Sequence, residues 1–186
     1  MPSSILHPPS SLHISITNRQ RTRKVSSRLL EKITADLLAE LKIKNAELGI
    51  NLVVAPEMTT LNETFLRHAG STDVITFDYS VQTTGARAAR LREAKTRTRE
   101  RATRASLQGE IFICVDEAIL QARKYGTRWE SEIVRYVIHG VLHLLGHDDR
   151  RTAARRRMKR EENLLLRLIS RRFSLAQPGR AVKLVA

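Results

Sequence analysis

The sequence is poor in cysteine and in aromatic residues. Cys114 is the only cysteine among 186 residues. No disulfide can form within the chain, which excludes a small disulfide-stabilised secreted scaffold and favours a reducing compartment. Aromatic residues make up 4% of the chain, too few to favour nucleic-acid recognition by base stacking. No stretch approaches the roughly 18 apolar residues of a membrane span, and the N-terminus lacks the pattern of a signal peptide. We therefore expect a cytoplasmic protein with no membrane partner.

Acidic residues are scarce relative to basic ones, and the basic excess lies in two segments. The chain has 33 Lys+Arg against 19 Asp+Glu, a formal net charge of +14. Residues 87–104 carry +6 and residues 150–172 carry +8, so the rest of the chain is neutral. Arginine forks suit phosphate oxygens, so both segments indicate a polyanionic partner contacted through its phosphates. A solvated helix face is the alternative for either segment alone.

Hydrophobic periodicity predicts a single α+β domain. Apolar residues make up 41% of the chain, enough for one core at this length. The pattern predicts a small, mostly four-stranded sheet layered with about five helices. Predicted strands are 13–17, 48–54, 72–79 and a central strand 109–115; predicted helices are 27–41, 56–70, 116–126, 130–145 and 152–173.

The pattern also predicts how the chain is divided and which helix positions are buried. Residues 1–12 are expected to be a flexible N-terminus, 13–173 the domain with an Arg-rich insertion at about 83–107, and 174–186 a C-terminal tail. The buried face of the second helix is expected to contain Met58, Leu61, Phe65 and Leu66, and that of the last helix Met158, Leu164, Leu165, Leu168 and Ile169.

Two histidines four residues apart are the strongest chemical signal. His139 and His143 would share one helix face and could bind one metal ion from consecutive turns, as in zincin-like metal helices. A packed or partly exposed histidine pair is the alternative. Gly146 can end the helix in a left-handed conformation and let the chain bring back His147 or Asp149. Three protein ligands and a water describe a catalytic zinc site.

The run 139–146 closely resembles the signature of the YbeY endoribonucleases, the bacterial rRNA maturation factors. Leu61, Asn62 and Phe65, together with 72–77 and 109–113, resemble further blocks of that family in the same order. The resemblance covers about residues 14–166. It implies a zinc-dependent, single-strand-specific endoribonuclease that matures the 3′ end of small-subunit rRNA and acts in ribosome quality control. Implied partners are rRNA and the small ribosomal subunit, with ribosomal proteins or assembly GTPases.

The chain departs from the family pattern at three places. The usual third ligand is a histidine, and Asp149 stands at that offset. A carboxylate can bind zinc, so the predicted ligands of one Zn²⁺ are His139, His143 and Asp149, with His147 as the alternative to Asp149. The family often has a functional arginine directly after the aromatic residue that matches Phe65. In this sequence Leu66 is at that position, and Arg67 follows it. The Arg-rich insertion looks longer than the usual connection.

Arg67 and Asp148 are the predicted catalytic residues. Arg67 would offset charge on the transition state, and Asp148 would act as a base or hold a ligating histidine in its tautomer. The alternatives are a solvated arginine and an ordinary turn aspartate. Two other functions stay open, a non-catalytic zinc-containing ribosome-assembly factor and a metal-dependent peptidase. Gly140 weakens the peptidase because a metalloprotease has its glutamate base there.

Overall fold

Strands and helices are intermingled along the chain, as the sequence predicts. The computed structural model describes residues 11–80 and 107–175. The strands are β1 (Ser11–Asn18), β2 (Asn45–Val53), β3 (Val74–Asp78) and β4 (Leu107–Cys114). The helices are α1 (Ser27–Glu40), α2 (Ala55–Leu61), α3 (Val115–Tyr125), α4 (Trp129–Leu144) and α5 (Thr152–Arg172), and a π-helical turn, Asn62–Leu66, follows α2. The predicted α+β class, with a four-stranded sheet and five helices in the described part, is confirmed.

The sheet has the strand order β1-β2-β4-β3. β1, β2 and β4 are parallel, and the edge strand β3 runs antiparallel to β4. β4 therefore lies inside the sheet, which confirms its prediction as a central strand. One face of the sheet, which includes Ile50, Ile111 and Ile113, packs against α1, α3, α4 and α5 to form the main core. A smaller cluster of Val53, Met58, Ile75 and Cys114 lies on the other face, beneath α2.

The second predicted helix differs from the observed one. α2 ends at Leu61, the π-helical turn continues to Leu66, and Arg67 then adopts a left-handed backbone with φ of 58°. Phe65 and Leu66 are 58% and 47% exposed, so the prediction that they are buried was wrong. The wider π turn contains Phe65 and Leu66 and rotates them away from the buried stripe begun by Met58.

Two further expectations need correction at the level of single residues. Leu164 is exposed, whereas Leu165 and Ile169 are buried, so Leu164 lies outside the core-facing stripe of α5. β1 begins at Ser11, two residues before the expected strand, because Ser11 and Leu12 pair with β2.

Three predicted segments lie wholly or mostly outside the described residues. They are the N-terminal segment up to residue 10, the Arg-rich insertion over 81–106, and the C-terminal tail from residue 176. Among the described residues, no helix has both the length and the hydropathy that a membrane crossing requires.

Candidate metal centre

The end of α4 positions the two histidines. Glu130 and Glu132 lie in the first turn of α4, where carboxylates favour the positive end of the helix dipole. His139 and His143 lie on consecutive turns near its other end, with ring centroids 4.6 Å apart. Gly146 has φ of 84°, a conformation that glycine adopts without strain. The helix ends as predicted, and the chain then turns back toward the histidines.

Three predicted ligands converge where the chain turns back. The Nε2 atoms of His139 and His143 are 3.0 Å apart, and Oδ2 of Asp149 is 3.9 Å from Nε2 of His143. One potential ligand atom from each of the three residues lies within 4.8 Å of the others. The ring of His147 is not in this group; its backbone carbonyl instead accepts a hydrogen bond from Nδ1 of His143 at 3.1 Å.

Hydrogen bonds at the two Nδ1 atoms assign the histidine tautomers. Nδ1 of His139 donates to Oε2 of Glu162 at 3.1 Å, and Nδ1 of His143 donates to the carbonyl of His147. Each Nε2 is therefore left with a lone pair. Burial lowers the pKa of His143, and the neighbouring His139 lowers it further. Both effects favour the neutral imidazole that metal coordination requires.

Glu162 of α5 is a functional candidate that the sequence analysis missed. Its side chain is buried, and its Oε1 accepts hydrogen bonds from Arg135 and Lys159, both at 2.7 Å. Burial alone would raise the pKa of Glu162, but the hydrogen bonds from His139, Lys159 and Arg135 outweigh burial and lower it to about 2. Glu162 is therefore ionised at neutral pH and holds His139 as the Nδ1–H tautomer.

The donor set fits a zinc ion. Two imidazole nitrogens and one carboxylate are ligand types that zinc accepts, and a catalytic site uses three of them. Tetrahedral ligands at zinc–nitrogen distances of about 2.0–2.1 Å lie ~3.3 Å apart, close to the 3.0 Å between the two Nε2 atoms. A carboxylate that orients one ligating histidine is also typical of zinc sites.

Gly140 lies where α4 approaches the sheet most closely. A Cβ atom at this position would lie 2.8 Å from both Cδ1 and Cγ2 of Ile111. Such a separation is well inside van der Waals contact, so the helix can pack here only without a side chain. A glutamate at position 140 would not fit against β4. The structure thus gives a packing reason for the absence of a metalloprotease base at this position.

The two predicted catalytic residues lie outside the histidine group. Asp148 is exposed, and its Oδ1 accepts a hydrogen bond from the backbone N–H of Arg150 at 3.0 Å. Arg67 is exposed at the end of the π-helical turn. A cavity of about 210 Å³ adjoins His139 and is lined by His139 and Asp149 but by neither Arg67 nor Asp148. Their catalytic roles stay predictions.

The architecture is that of a metal-dependent hydrolase. The sheet supports one helix with two histidines, and a loop carboxylate and a basic helix lie next to them. The chain belongs to the family described as Endoribonuclease YbeY, whose model matches residues 15–170.

Named relatives agree with this assignment. The Endoribonuclease YbeY of Syntrophotalea carbinolica is 31% identical over 158 residues, which cover 83% of this chain and 95% of that relative. The Aquifex aeolicus protein of the same name is 28% identical over 167 residues, with 85% and 99% coverage. The Myxococcus xanthus protein of this name is 32% identical over 157 residues, but the match spans only 47% of its length.

A solved structure shares the fold. The solution structure of TM1509 from Thermotoga maritima matches with a TM-score of 0.56 and 22% sequence identity, over 90% of this chain and 99% of that one.

Proposed function

We propose that this protein is a zinc-dependent, single-strand-specific endoribonuclease that processes rRNA. The observation that carries the proposal is the convergence of His139, His143 and Asp149, whose ligand atoms lie within 4.8 Å of one another. The family and its named relatives support ribonuclease activity. One Zn²⁺ per chain would be held by these three residues.

The chain's own residues set up the site around the ion. A zinc ion bound here would supply Lewis-acid chemistry and lower the pKa of a coordinated water. Glu162 and the carbonyl of His147 hold the two histidines with Nε2 available for coordination. Asp148 is our candidate for the general base, because only one of its carboxylate oxygens makes a hydrogen bond in the described part. Arg67 is the sequence-based candidate for stabilising negative charge.

The proposed substrate is the 3′ region of small-subunit rRNA, and the proposed setting is ribosome maturation and quality control in the cytoplasm. We infer this substrate from the resemblance of the 139–146 motif to the family signature. The basic surface of α5 supports it, because Arg157 and Arg160 are exposed and suit phosphate contacts. The proposed partners are the small ribosomal subunit and either ribosomal proteins or assembly GTPases.

The two alternative functions, an assembly factor and a peptidase, would require different properties of the site. In a zinc-containing assembly factor the ion would brace the loop after α4, and the basic helix would bind rRNA without cleaving it. A peptidase would need a general base near the ion, and the contact between Gly140 and Ile111 leaves no room for one at the usual helix position. The structure therefore favours the nuclease over the peptidase.

A cleavage assay with and without a chelator separates the three functions. Protein purified free of contaminating nuclease is incubated with a single-stranded rRNA fragment, the same fragment in a duplex, and a peptide substrate. We expect the single strand to be cut, the chelator to stop cleavage and added zinc to restore it. Zinc and rRNA binding without cleavage would establish the assembly factor, and peptide cleavage would establish the peptidase.

A further inference from the structure

One cationic side chain beside the metal ligands has no acidic partner. The cavity that adjoins His139 is lined by three cations, Arg135, Arg155 and Lys159. Arg135 forms ion pairs with Glu132 and Glu162, and Lys159 forms one with Glu162. Arg155 forms no ion pair with any residue in the described part of the chain. Its charge is therefore available to an anion from outside the protein.

A hydrogen bond holds Arg155 next to the third predicted ligand. Nε of Arg155 donates to the backbone carbonyl of Asp149 at 2.8 Å. This bond fixes the side chain at the cavity wall, while the terminal nitrogens have no partner among the described residues. A guanidinium group held in this way loses less conformational entropy when it binds a phosphate.

A divalent ion at the predicted ligands would strengthen the attraction of the cavity for an anion. The three cations are matched by three carboxylates in the lining, those of Asp73, Asp149 and Glu162. A divalent ion at the predicted ligands would leave an excess positive charge, which a phosphodiester group would reduce. Tyr136 also lines the cavity, and its buried hydroxyl group has no hydrogen-bond partner in the described part.

We propose that this cavity is the binding site for the substrate phosphodiester, with Arg155 as its principal donor. The proposal rests on the proposed nuclease function and identifies where this chain contacts its substrate. The terminal nitrogens of Arg155 bind non-bridging phosphate oxygens, while its Nε keeps the bond to Asp149. Tyr136 is a second candidate donor at the cavity wall.

The test compares Arg155→Met with Arg156→Met. Arg156 is the matched control because it is exposed, lies next to Arg155 on α5, and does not line the cavity. In metal-free protein, we expect Arg155→Met to weaken binding of a short single-stranded RNA about tenfold, since a hydrogen bond to a charged group is lost. Arg156→Met should weaken it less than about twofold. In zinc-loaded protein, Arg155→Met should lower kcat/KM for RNA cleavage about 100-fold.

A third variant and the zinc content distinguish phosphate binding from loop support. Arg155→Lys keeps the charge and should retain part of the RNA affinity, although its ammonium group lacks the planar fork of donors that a guanidinium group presents. Zinc content should equal that of the wild type in all three variants. Equal RNA affinities for Arg155→Met and Arg156→Met would overturn the proposal, as would loss of zinc in Arg155→Met. If the wild type does not cleave RNA, the nuclease function fails, and the metal-free binding comparison still decides the role of Arg155.

Discussion

Glu162 shows how one buried residue controls the chemistry of its neighbours. An ionised carboxylate in a protein interior is costly unless hydrogen bonds compensate it. Glu162 receives three such bonds, from His139, Arg135 and Lys159. The same arrangement fixes the His139 tautomer and joins α4 to α5. We therefore regard Glu162 as a positioning residue for the metal centre.

Replacing this carboxylate should weaken zinc binding without unfolding the protein. Glu162→Gln keeps the size of the side chain and one acceptor oxygen, but it removes the charge that favours the His139 tautomer. We expect zinc affinity to fall about 10–100-fold, as measured by competition with a chromogenic chelator.

Glu161→Gln is the matched control, because Glu161 precedes Glu162 and is exposed. It should bind zinc as the wild type does. Wild-type affinity in Glu162→Gln, with a normal circular dichroism spectrum, would show that the carboxylate does not orient His139.

At the level of elements, the site depends on how closely α4 packs against β4. Gly140 lies between the two histidines in the sequence, and its missing side chain lets the helix rest on Ile111. This contact sets the depth of α4 and hence the position of both histidine rings. The glycine weakens the helix intrinsically by about 1 kcal/mol relative to alanine, so its presence indicates that the packing contact matters more.

Gly140→Ala should therefore destabilise the protein although alanine favours helices. We expect a loss of about 1–3 kcal/mol in the free energy of unfolding, since overpacking exceeds the gain in helix propensity. Urea unfolding measures it.

A double-mutant cycle with Ile111→Ala tests the cause. If the clash with Ile111 is responsible, Gly140→Ala should cost less in the Ile111→Ala background. A single variant that is more stable than the wild type would contradict the close contact.

For the whole molecule, the features set by local sequence patterns were predicted better than those set by long-range contacts. The four strands, the five helices and the central position of β4 follow from periodicity in short windows. The π-helical turn was missed because it changes the helical repeat locally, which left Phe65 and Leu66 outside the core. In the folded chain the Phe65 ring packs edge-on against Phe77, with centroids 5.1 Å apart. That contact joins residues distant in sequence.

The features of the site also fall into those set by local sequence and those set by long-range packing. The four-residue spacing of His139 and His143, and the helix end at Gly146, are local features, and they predicted that His147 or Asp149 would approach the two histidines. The resemblance to the family then favoured Asp149. Glu162 and Arg155 belong to another helix and reach the site only through the packing of α5 on α4. A carboxylate on the apolar stripe of α5 that contains Met158 and Leu165 was the available signal for Glu162. Nothing in the local sequence distinguishes Arg155 from the arginines beside it.

We propose that RNA cleavage depends on a metal ion held by His139, His143 and Asp149. The most direct test is the rate of single-stranded RNA cleavage by Asp149→Ala beside that of His147→Ala. We predict that Asp149→Ala lowers the rate more than about 100-fold, because a ligand does more than the residues that orient it. His147→Ala should stay close to the wild-type rate, because the backbone carbonyl that holds His143 is kept. Full activity in Asp149→Ala, with its loss in His147→Ala, would contradict the assignment of Asp149 as the third ligand.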